Sequence, residues 1–296
     1  MDAVLGGEIG AALAAMLGLM VGSFANVVIH RAPLEGASSF RPLRSFCPSC
    51  RRTLTWFENV PVLSWLMLRG RCRTCRSPIS WRYPAIELLV GALFLGAWWV
   101  SPPVDADGAV MFAIVAYLAA TCAVVSIIDL EHLIIPDTIT KPGMALGLLV
   151  SLAWPALHEG HALFREASPH TSSLIAALGG ALAGGGSLWL LGKVGSFFLR
   201  KQMEAAGVED AMGFGDVKWM AHTGTFLGVG SALGAIAQAA FLGAIVGILG
   251  KLLARLRGGG EPAPIPFGPF LSIGVLVELA WPGGVWNWLM GVSGAA

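Results

Sequence analysis

The stretch GAVMFAIVAYLAATCAVVSII, residues 108–128, is followed directly by DLEHLIIPD, residues 129–137. The first part is apolar and long enough to cross a bilayer, since a spanning helix needs about 20 such residues. Asp129 therefore lies at the end of a predicted membrane helix. A second aspartate, Asp216, closes the motif GFGD at residues 213–216, beside another apolar segment. Carboxylates at the edge of a membrane are costly, so the two aspartates indicate a functional site.

The composition is that of a membrane protein. The chain has 296 residues, of which 55% are hydrophobic and 12% charged, and its mean hydropathy is +0.72. A soluble domain carries about 25% charged residues, so the excess apolar surface is expected to face lipid. The sequence predicts an all-α polytopic membrane protein with about eight transmembrane helices. The predicted spans are 8–29, 84–100, 108–128, 139–157, 173–199, 217–234, 236–255 and 266–290, the sixth and seventh running together through residues 228–231.

The lysines and arginines predict an orientation. The segment 30–83 holds ten arginines, and 17 of the 19 basic residues fall in it or in alternate later loops. Cytoplasmic loops carry the excess of basic residues, so this side is expected to be cytoplasmic. Both termini, and the loop with Arg165, are then expected to lie outside. Both aspartate motifs fall on the cytoplasmic side, which is the condition for their meeting.

Three regions are predicted along the chain. Residues 1–29 form the first transmembrane helix, residues 30–83 a polar cytoplasmic loop domain, and residues 84–296 a helical membrane body with the aspartate site. Within this body, Gly180 and Gly184 form a small-xxx-small pattern that predicts a close contact between helices. A flexible hinge is the alternative interpretation of the same glycines.

Four of the five cysteines form two pairs in the loop domain. Cys47 and Cys50 are separated by two residues, as are Cys72 and Cys75, with 21 residues between the pairs. This spacing lets both thiolates of a pair reach one tetrahedral Zn²⁺ at about 2.3 Å, and a site with four protein ligands is structural. Disulfides are the competing interpretation, but cytoplasmic thiols stay reduced. The arginines of the loop already follow from its membrane side, so no nucleic-acid partner is expected.

The two aspartates fit the chemistry of aspartic proteases. Two carboxyl groups that share one proton can activate a water molecule and donate to the amide carbonyl without a metal or a covalent intermediate. Gly213 and Gly215 lack side chains, so a substrate backbone can lie against their loop. The sequence has neither a Gly-x-Ser-x-Gly elbow nor a His-Glu-x-x-His motif. The alternative is that Asp129 and Asp216 are helix-end residues solvated at the membrane interface.

Taken together, the motifs resemble the prepilin peptidase (type IV leader peptidase) family, a branch of the intramembrane Gly-x-Gly-Asp aspartic proteases. The similarity covers nearly the whole chain. The motifs that carry it are GSFANVVIHR at 22–31, the two cysteine pairs, LRGRC at 68–72, ISWRYP at 79–84, Glu87, the run 129–137, GFGDVK at 213–218 and PFGP at 266–269.

The resemblance implies roles for particular residues. Asp129 and Asp216 would be the catalytic pair, with Asp137 the competitor for the first position because it belongs to the same run. The expected substrates are prepilins and pseudopilins of type IV pili or type II secretion, whose short basic leaders are cut at the cytoplasmic membrane face. Many members with the cysteine loop also N-methylate the new N-terminus with S-adenosylmethionine, so this second activity is expected here. No Gly-rich nucleotide motif marks a site for this methyl donor. The resemblance also implies a bacterial inner membrane, with both termini periplasmic.

Other polar residues are assigned less specifically. Glu87 is expected either to touch the substrate amine or the methyl-transfer site, or to be a carboxylate that complements the start of its helix. Lys218 is expected to support Asp216 or to extend to the membrane interface. The motif PFGP interrupts backbone hydrogen bonding and is expected to line the active-site cleft. His30 is expected to contact either lipid head groups or the zinc loop. Glu278 has no assigned role.

Two rival functions come from other classes. An ion- or proton-coupled transporter would use buried aspartates as a relay, but it predicts carboxylates spread through the membrane depth and inverted repeats. A membrane scaffold presenting a zinc module would give Gly-x-Gly-Asp no role. Membrane lipid is an expected partner in every case.

Overall fold

The computed structural model describes residues 2–34, 45–158, 168–206, 210–256 and 265–284. Within these ranges the chain is helical and forms no β-strand, which confirms the predicted all-α class. Arg165, and with it the predicted external position of its loop, lies outside these ranges. The helices are α1 Asp2–Arg31, α2 Leu63–Met67, α3 Arg82–Val100, α4 Ala106–His132, α5 Asp137–Ala153, α6 Pro169–Ala181, α7 Ser187–Phe198, α8 Arg200–Ala206, α9 Phe214–Leu256 and α10 Gly268–Ala280.

Five helical segments in the described part of the chain are long and apolar enough to cross a membrane. They are Gly7–Arg31, Arg82–Val100, Ala106–His132, Pro169–Phe198 and Phe214–Leu256. Their outer surfaces suit lipid: Leu13, Met16 and Met20 on α1 are 60%, 60% and 64% exposed. The predicted count of eight is not confirmed, because α5 has 17 residues and α10 has 13, fewer than a full span needs.

Helix α9 accounts for two of the predicted spans. Its 43 residues would reach about 65 Å as a straight helix, twice the thickness of the hydrocarbon core. The backbone breaks at Gly228, where φ is 72° and ψ is 179°, a conformation open essentially to glycine alone. This break lies within residues 228–231, through which the sixth and seventh predicted spans were expected to run together.

The helices divide into two compact units, Met1–Val124 and Val125–Ala296. In the first unit α1 packs along α3. Gly22 makes the contact close, since a β-carbon there would lie 2.7 Å from the Cα of Glu87. The side chain of Asn26 donates a hydrogen bond of 3.1 Å to the carbonyl of Tyr83, which fixes the start of α3 against the end of α1.

In the second unit α9 is the central helix, in contact with α5, α6, α7 and α10. A β-carbon at Gly180 would collide with the carbonyl of Gly224, and one at Gly184 would lie 2.5 Å from the carbonyl of Met220. The predicted close packing at this glycine pattern is confirmed. Gly143 of α5 makes a similar approach to the ring of His222, so small residues on α5, on α6 and in the segment Leu182–Gly186 after α6 bring α9 close to its neighbours.

Candidate active site and metal centre

Asp129 lies in the last turn of α4 and is 6% exposed. Its Oδ2 accepts a hydrogen bond of 2.8 Å from the backbone N–H of Gly268, the first residue of α10. A β-carbon at position 268 would lie 2.7 Å from the same oxygen. The PFGP motif therefore places a backbone donor on Asp129, and glycine allows the approach. The sequence marked this motif as part of the site but did not predict its contact with Asp129.

Asp216 lies in the first turn of α9, directly after the two glycines of its motif. Its N–H donates a hydrogen bond of 3.1 Å to the carbonyl of Gly213, which forms a tight turn into the helix. A β-carbon at Gly213 would lie 3.1 Å from Oδ2 of Asp216, and one at Gly215 would lie 3.1 Å from the Cβ of Ile135. The absence of side chains thus lets this loop pack against the segment that follows Asp129.

Asp129 and Asp216 line one open cavity of about 280 Å³. Their carboxyl groups are close enough to interact electrostatically. The rest of the lining is apolar or small, apart from one lysine: Leu133, Ile134, Ile135, Gly213, Phe214, Gly215 and Lys218. The structure brings together five of the residues predicted for the site, and the chemistry this allows is carboxyl-based acid–base catalysis on a substrate with apolar side chains.

Asp137, the competitor of Asp129, is placed differently. It begins α5, separated from α4 by the non-helical residues before Pro136, and it does not line the cavity. Its two carboxylate oxygens are bonded to Lys141, at 2.7 Å, and to Lys218. Hydrogen bonds from Lys141 and Lys218 lower the pKa of Asp137, so this carboxylate is held as an ion-pair partner. This geometry favours Asp129 for the first catalytic position.

The four loop cysteines form a second candidate site. Their sulfur atoms all lie within 4.8 Å of one another, and the Sγ atoms of Cys47 and Cys75 are 3.8 Å apart. A tetrahedral Zn²⁺ with Zn–S bonds of about 2.3 Å separates its sulfur ligands by about 3.8 Å. All four residues are free thiols, and the donor set fits a metal ion.

The backbone repeats itself around the two cysteine pairs. The N–H of Cys47 donates to the carbonyl of Arg52, and the N–H of Cys72 donates to that of Ser77, both at 2.9 Å. Each turn contains an arginine with positive φ directly after its second cysteine, 56° at Arg51 and 59° at Arg76. Two equivalent turns thus present two sulfurs each to a common centre.

Hydrogen bonds lower the pKa of two of these thiols, Cys47 and Cys75. A backbone hydrogen bond from Arg52 also lowers the pKa of Cys50, but burial and hydrogen bonds with the other cysteines outweigh it and raise this pKa to about 11. The backbone N–H of Cys50 is the largest influence that lowers the pKa of Cys47, which falls to about 6. A hydrogen bond from the hydroxyl of Ser77 lowers the pKa of Cys75. Since the thiolate is the form that binds metal, both shifts favour an ion at neutral pH.

Glu58 supports this loop and was not predicted from the sequence. Its carboxylate, nearly buried, accepts hydrogen bonds of 2.5 and 3.0 Å from Arg52 and one of 2.9 Å from the N–H of Thr55. The hydrogen bond from Arg52 is the main reason that the pKa of Glu58 falls to about 2. The signal was present as Thr55-x-x-Glu58, the pattern of a capping box.

Glu87 joins the loop domain to a membrane helix. It is 8% exposed and accepts a hydrogen bond of 2.7 Å from the N–H of Val62, the residue before α2. Val62 has φ of 61°, which is unfavourable for a β-branched residue, so the contact with Glu87 helps to hold a strained turn. This partner gives Glu87 a structural contact; the predicted contact with substrate stays a prediction.

The structure also places the two residues without an assigned role. Glu278 is 1% exposed, and it accepts hydrogen bonds of 2.7 Å from the amide of Gln238 and 2.9 Å from the N–H of Gly283. It therefore joins α10 to α9 and closes the end of α10. His30 is exposed near the end of α1.

Replacing Cys47 with Ser is expected to remove the bound metal. Three thiolates and a hydroxyl cannot match the affinity of four thiolates, and structural zinc contributes about 10 kcal/mol or more to folding of such sites. Atomic emission on the purified full chain should show about one zinc per wild-type chain and none in the variant. Cys122→Ala, which removes the cysteine outside the cluster, should keep the metal. Wild-type protein purified without any metal would contradict the assignment.

The chain is 33% identical over 299 residues to the "Prepilin leader peptidase/N-methyltransferase" of Aeromonas hydrophila, covering 93% of this chain and 92% of that protein. Residues 116–248 match the "Type IV leader peptidase family", and residues 16–101 match the "Bacterial Peptidase A24 N-terminal domain". The chain belongs to the type IV leader peptidase family. The resemblance drawn from its motifs is thereby confirmed.

Other type IV leader peptidases are similar over comparable lengths. The protein of the same name from Burkholderia pseudomallei (strain K96243) is 37% identical over 287 residues, which is 89% of this chain and 82% of that one. The one from Myxococcus xanthus (strain DK1622) is 40% identical over 252 residues, 82% of this chain and 64% of that one. No solved structure matches the chain.

Proposed function

We propose that this protein cleaves the leader peptide of type IV prepilins or pseudopilins and then N-methylates the new N-terminal residue. The observation that carries the peptidase part is the cavity that Asp129 and Asp216 line together. The relatives are named for both activities, and the chain shares most of its length with them. A transporter that uses its aspartates as a proton relay has no support, since both carboxyl groups face one cavity at the ends of their helices.

In the proposed reaction one carboxyl group is ionised and the other is protonated. The ionised group takes a proton from water as the oxygen attacks the amide carbon, and the protonated group donates its proton to the carbonyl oxygen. Proton transfer to the amide nitrogen then allows the C–N bond to break. The hydrogen bond from Gly268 holds Asp129 in place during these steps, and Leu133, Ile135 and Phe214 supply apolar contacts for the substrate.

Asp137 and Lys218 support the site as an ion pair, and Gly213 and Gly215 support it by allowing close packing. Cys47, Cys50, Cys72 and Cys75 hold a structural Zn²⁺ that folds the loop domain 30–83. S-adenosylmethionine would supply the methyl group to the new N-terminal amine. The loop domain is assigned to methylation, and the helical body, residues 84–296, to cleavage.

The proposed orientation puts both sites in the cytoplasm. The arginine-rich side of the inner membrane carries the loop domain and the ends of α4 and α9 with the aspartates. Both termini are on the periplasmic side. A prepilin leader is short and basic and precedes an apolar helix, so its cleavage point reaches the cytoplasmic edge of the bilayer, where the cavity is placed. Membrane lipid surrounds the helices, and no nucleic-acid partner is expected.

The test combines both activities in one assay. The purified full chain is incubated with a prepilin and methyl-labelled S-adenosylmethionine, and product size and label are read separately. The wild type should give a shortened and labelled product. Cys47→Ser should give a shortened product with little label, because the metal folds only the loop domain. An unchanged prepilin with the wild-type chain would contradict the peptidase assignment, and a shortened but unlabelled product would contradict methylation.

A further inference from the structure

An ion pair joins the two segments that carry the aspartates of the cavity. Lys218 lies two residues after Asp216 in α9, and its Nζ donates a hydrogen bond to Oδ1 of Asp137. Asp137 is the first residue of α5 and follows the non-helical stretch that begins after α4. The pair therefore connects the segment that follows Asp129 with the start of α9, which carries Asp216.

Both partners are held by further contacts. The second oxygen of Asp137 accepts a hydrogen bond of 2.7 Å from Lys141, one turn later in α5. The ammonium group of Lys218 also lies 5.2 Å from the ring centre of Phe214, within the range of a cation–π interaction. The side chain of Lys218 is only 22% exposed, so water screens the pair less than it would at an open surface.

The connected segments also meet at one apolar contact. Gly215 packs against Ile135, as described above. Leu133, at the start of the stretch between α4 and α5, has φ of 55°, a conformation that costs free energy for a leucine. The N–H of Leu133 still donates a hydrogen bond of 2.9 Å to the carbonyl of Asp129, and the ion pair ties the other end of this stretch, at Asp137, to α9.

We propose that Lys218 and Asp137 form a clamp that sets the spacing of Asp129 and Asp216, so that both are positioning residues for cleavage. This inference rests on the proposed peptidase function. Two carboxyl groups that act on one water molecule must be placed closely, and an error of about 1 Å can lower a rate about 100-fold. Because Lys218 is neutralised by Asp137, it acts on the geometry of the cavity instead of binding the substrate's charge.

The test measures kcat and KM for prepilin cleavage by the full chain in proteoliposomes. Lys218→Met and Asp137→Asn are each expected to lower kcat about 100-fold with KM within about twofold. Lys218→Arg keeps the charge and a donor and should retain most of the activity. The double variant Asp137→Asn/Lys218→Met should be no slower than either single variant, because both changes break the same link.

Lys141→Met is the matched control, since it removes a lysine from the same carboxylate without separating the two segments. Its kcat should stay within about twofold of the wild type. Three results would each overturn the clamp. They are an equal loss of kcat in Lys141→Met and Lys218→Met, a multiplied loss of kcat in the double variant, and a change confined to KM. A wild-type kcat in Lys218→Met would also overturn the clamp. Asp129→Asn distinguishes this outcome from a failure of the proposed peptidase function, because this variant is inactive only if the peptidase assignment holds.

Thermal unfolding of each variant separates misplacement from loss of fold. If Lys218→Met does not fold, Asp137→Glu replaces it in the test, because it keeps the charge and lengthens the side chain by one methylene. Asp137→Glu should lower kcat about tenfold with an unchanged unfolding midpoint. An unchanged kcat in that variant would overturn the proposal.

Discussion

Asp129→Asn and Asp216→Asn are each expected to lower prepilin cleavage by about 10⁴-fold or more. Each amide has nearly the shape of the carboxyl group it replaces but neither takes a proton from water nor donates one as an acid does. At position 129 the amide oxygen can still accept the hydrogen bond from Gly268, so the geometry should survive while the chemistry is lost. Cleavage is measured as the rate of product formation from purified prepilin, with thermal unfolding as the check on folding.

The matched control for these variants is Asp210→Asn. Asp210 lies shortly before the Gly-x-Gly-Asp motif, its side chain is 60% exposed, and it pairs with Lys193 away from the cavity. Exposed ion pairs contribute little, so cleavage should stay within about twofold of the wild type. The two inactive variants should also show no methyl label on the product, because no new N-terminus is released. Full cleavage by either variant would remove that aspartate from the mechanism.

Gly268→Ala is expected to lower kcat by about 100-fold or more. The added β-carbon would lie 2.7 Å from Oδ2 and 3.1 Å from Cγ of Asp129, so the carboxyl group must move away from its backbone donor. The loss should appear in kcat, because the cavity lining that contacts the substrate is unchanged. Steady-state kinetics on the reconstituted full chain measure kcat and KM separately.

Gly247→Ala in α9 serves as the control for the glycine substitution. A β-carbon at Gly247 meets no atom within 4 Å, and alanine favours a helix by about 1 kcal/mol over glycine. Its kcat should match the wild type. If Gly268→Ala also cleaves at the wild-type rate, the contact between α10 and Asp129 has no part in catalysis.

The sequence predicted some features of the fold and of the two sites more reliably than others. The paired cysteines were found by spacing alone, because a tetrahedral metal imposes that spacing on the chain. The pattern of Gly180 and Gly184 predicted close packing, because only small residues let helix backbones approach. The count of spans was less certain, since hydropathy cannot distinguish a full span from the 17-residue α5 or locate the break of α9 at Gly228.

Hydrogen bonds between distant parts of the chain could not be predicted from the sequence. Nothing in the run 129–137 says which aspartate is bonded by lysines and which faces the cavity. The structure separates them, with Asp137 paired to Lys141 and Lys218 and Asp129 bonded to Gly268. The contacts of Glu87 and Glu278 were likewise unknown from the sequence. In the structure Glu87 accepts a hydrogen bond from Val62, and Glu278 accepts one from Gln238.

The sequence by itself determined that this chain is helical, lies in a membrane, carries a four-cysteine cluster and belongs with peptidases that use Gly-x-Gly-Asp. The first three properties follow from composition and local spacing, which act between near neighbours in the chain, and the fourth follows from the resemblance of its motifs to a known family. Only the tertiary structure decided that Asp129 shares a cavity with Asp216 and that Asp137 and Lys218 join their segments. The packing of α9 against the other helices sets these distances, and packing depends on contacts between residues that are remote in sequence.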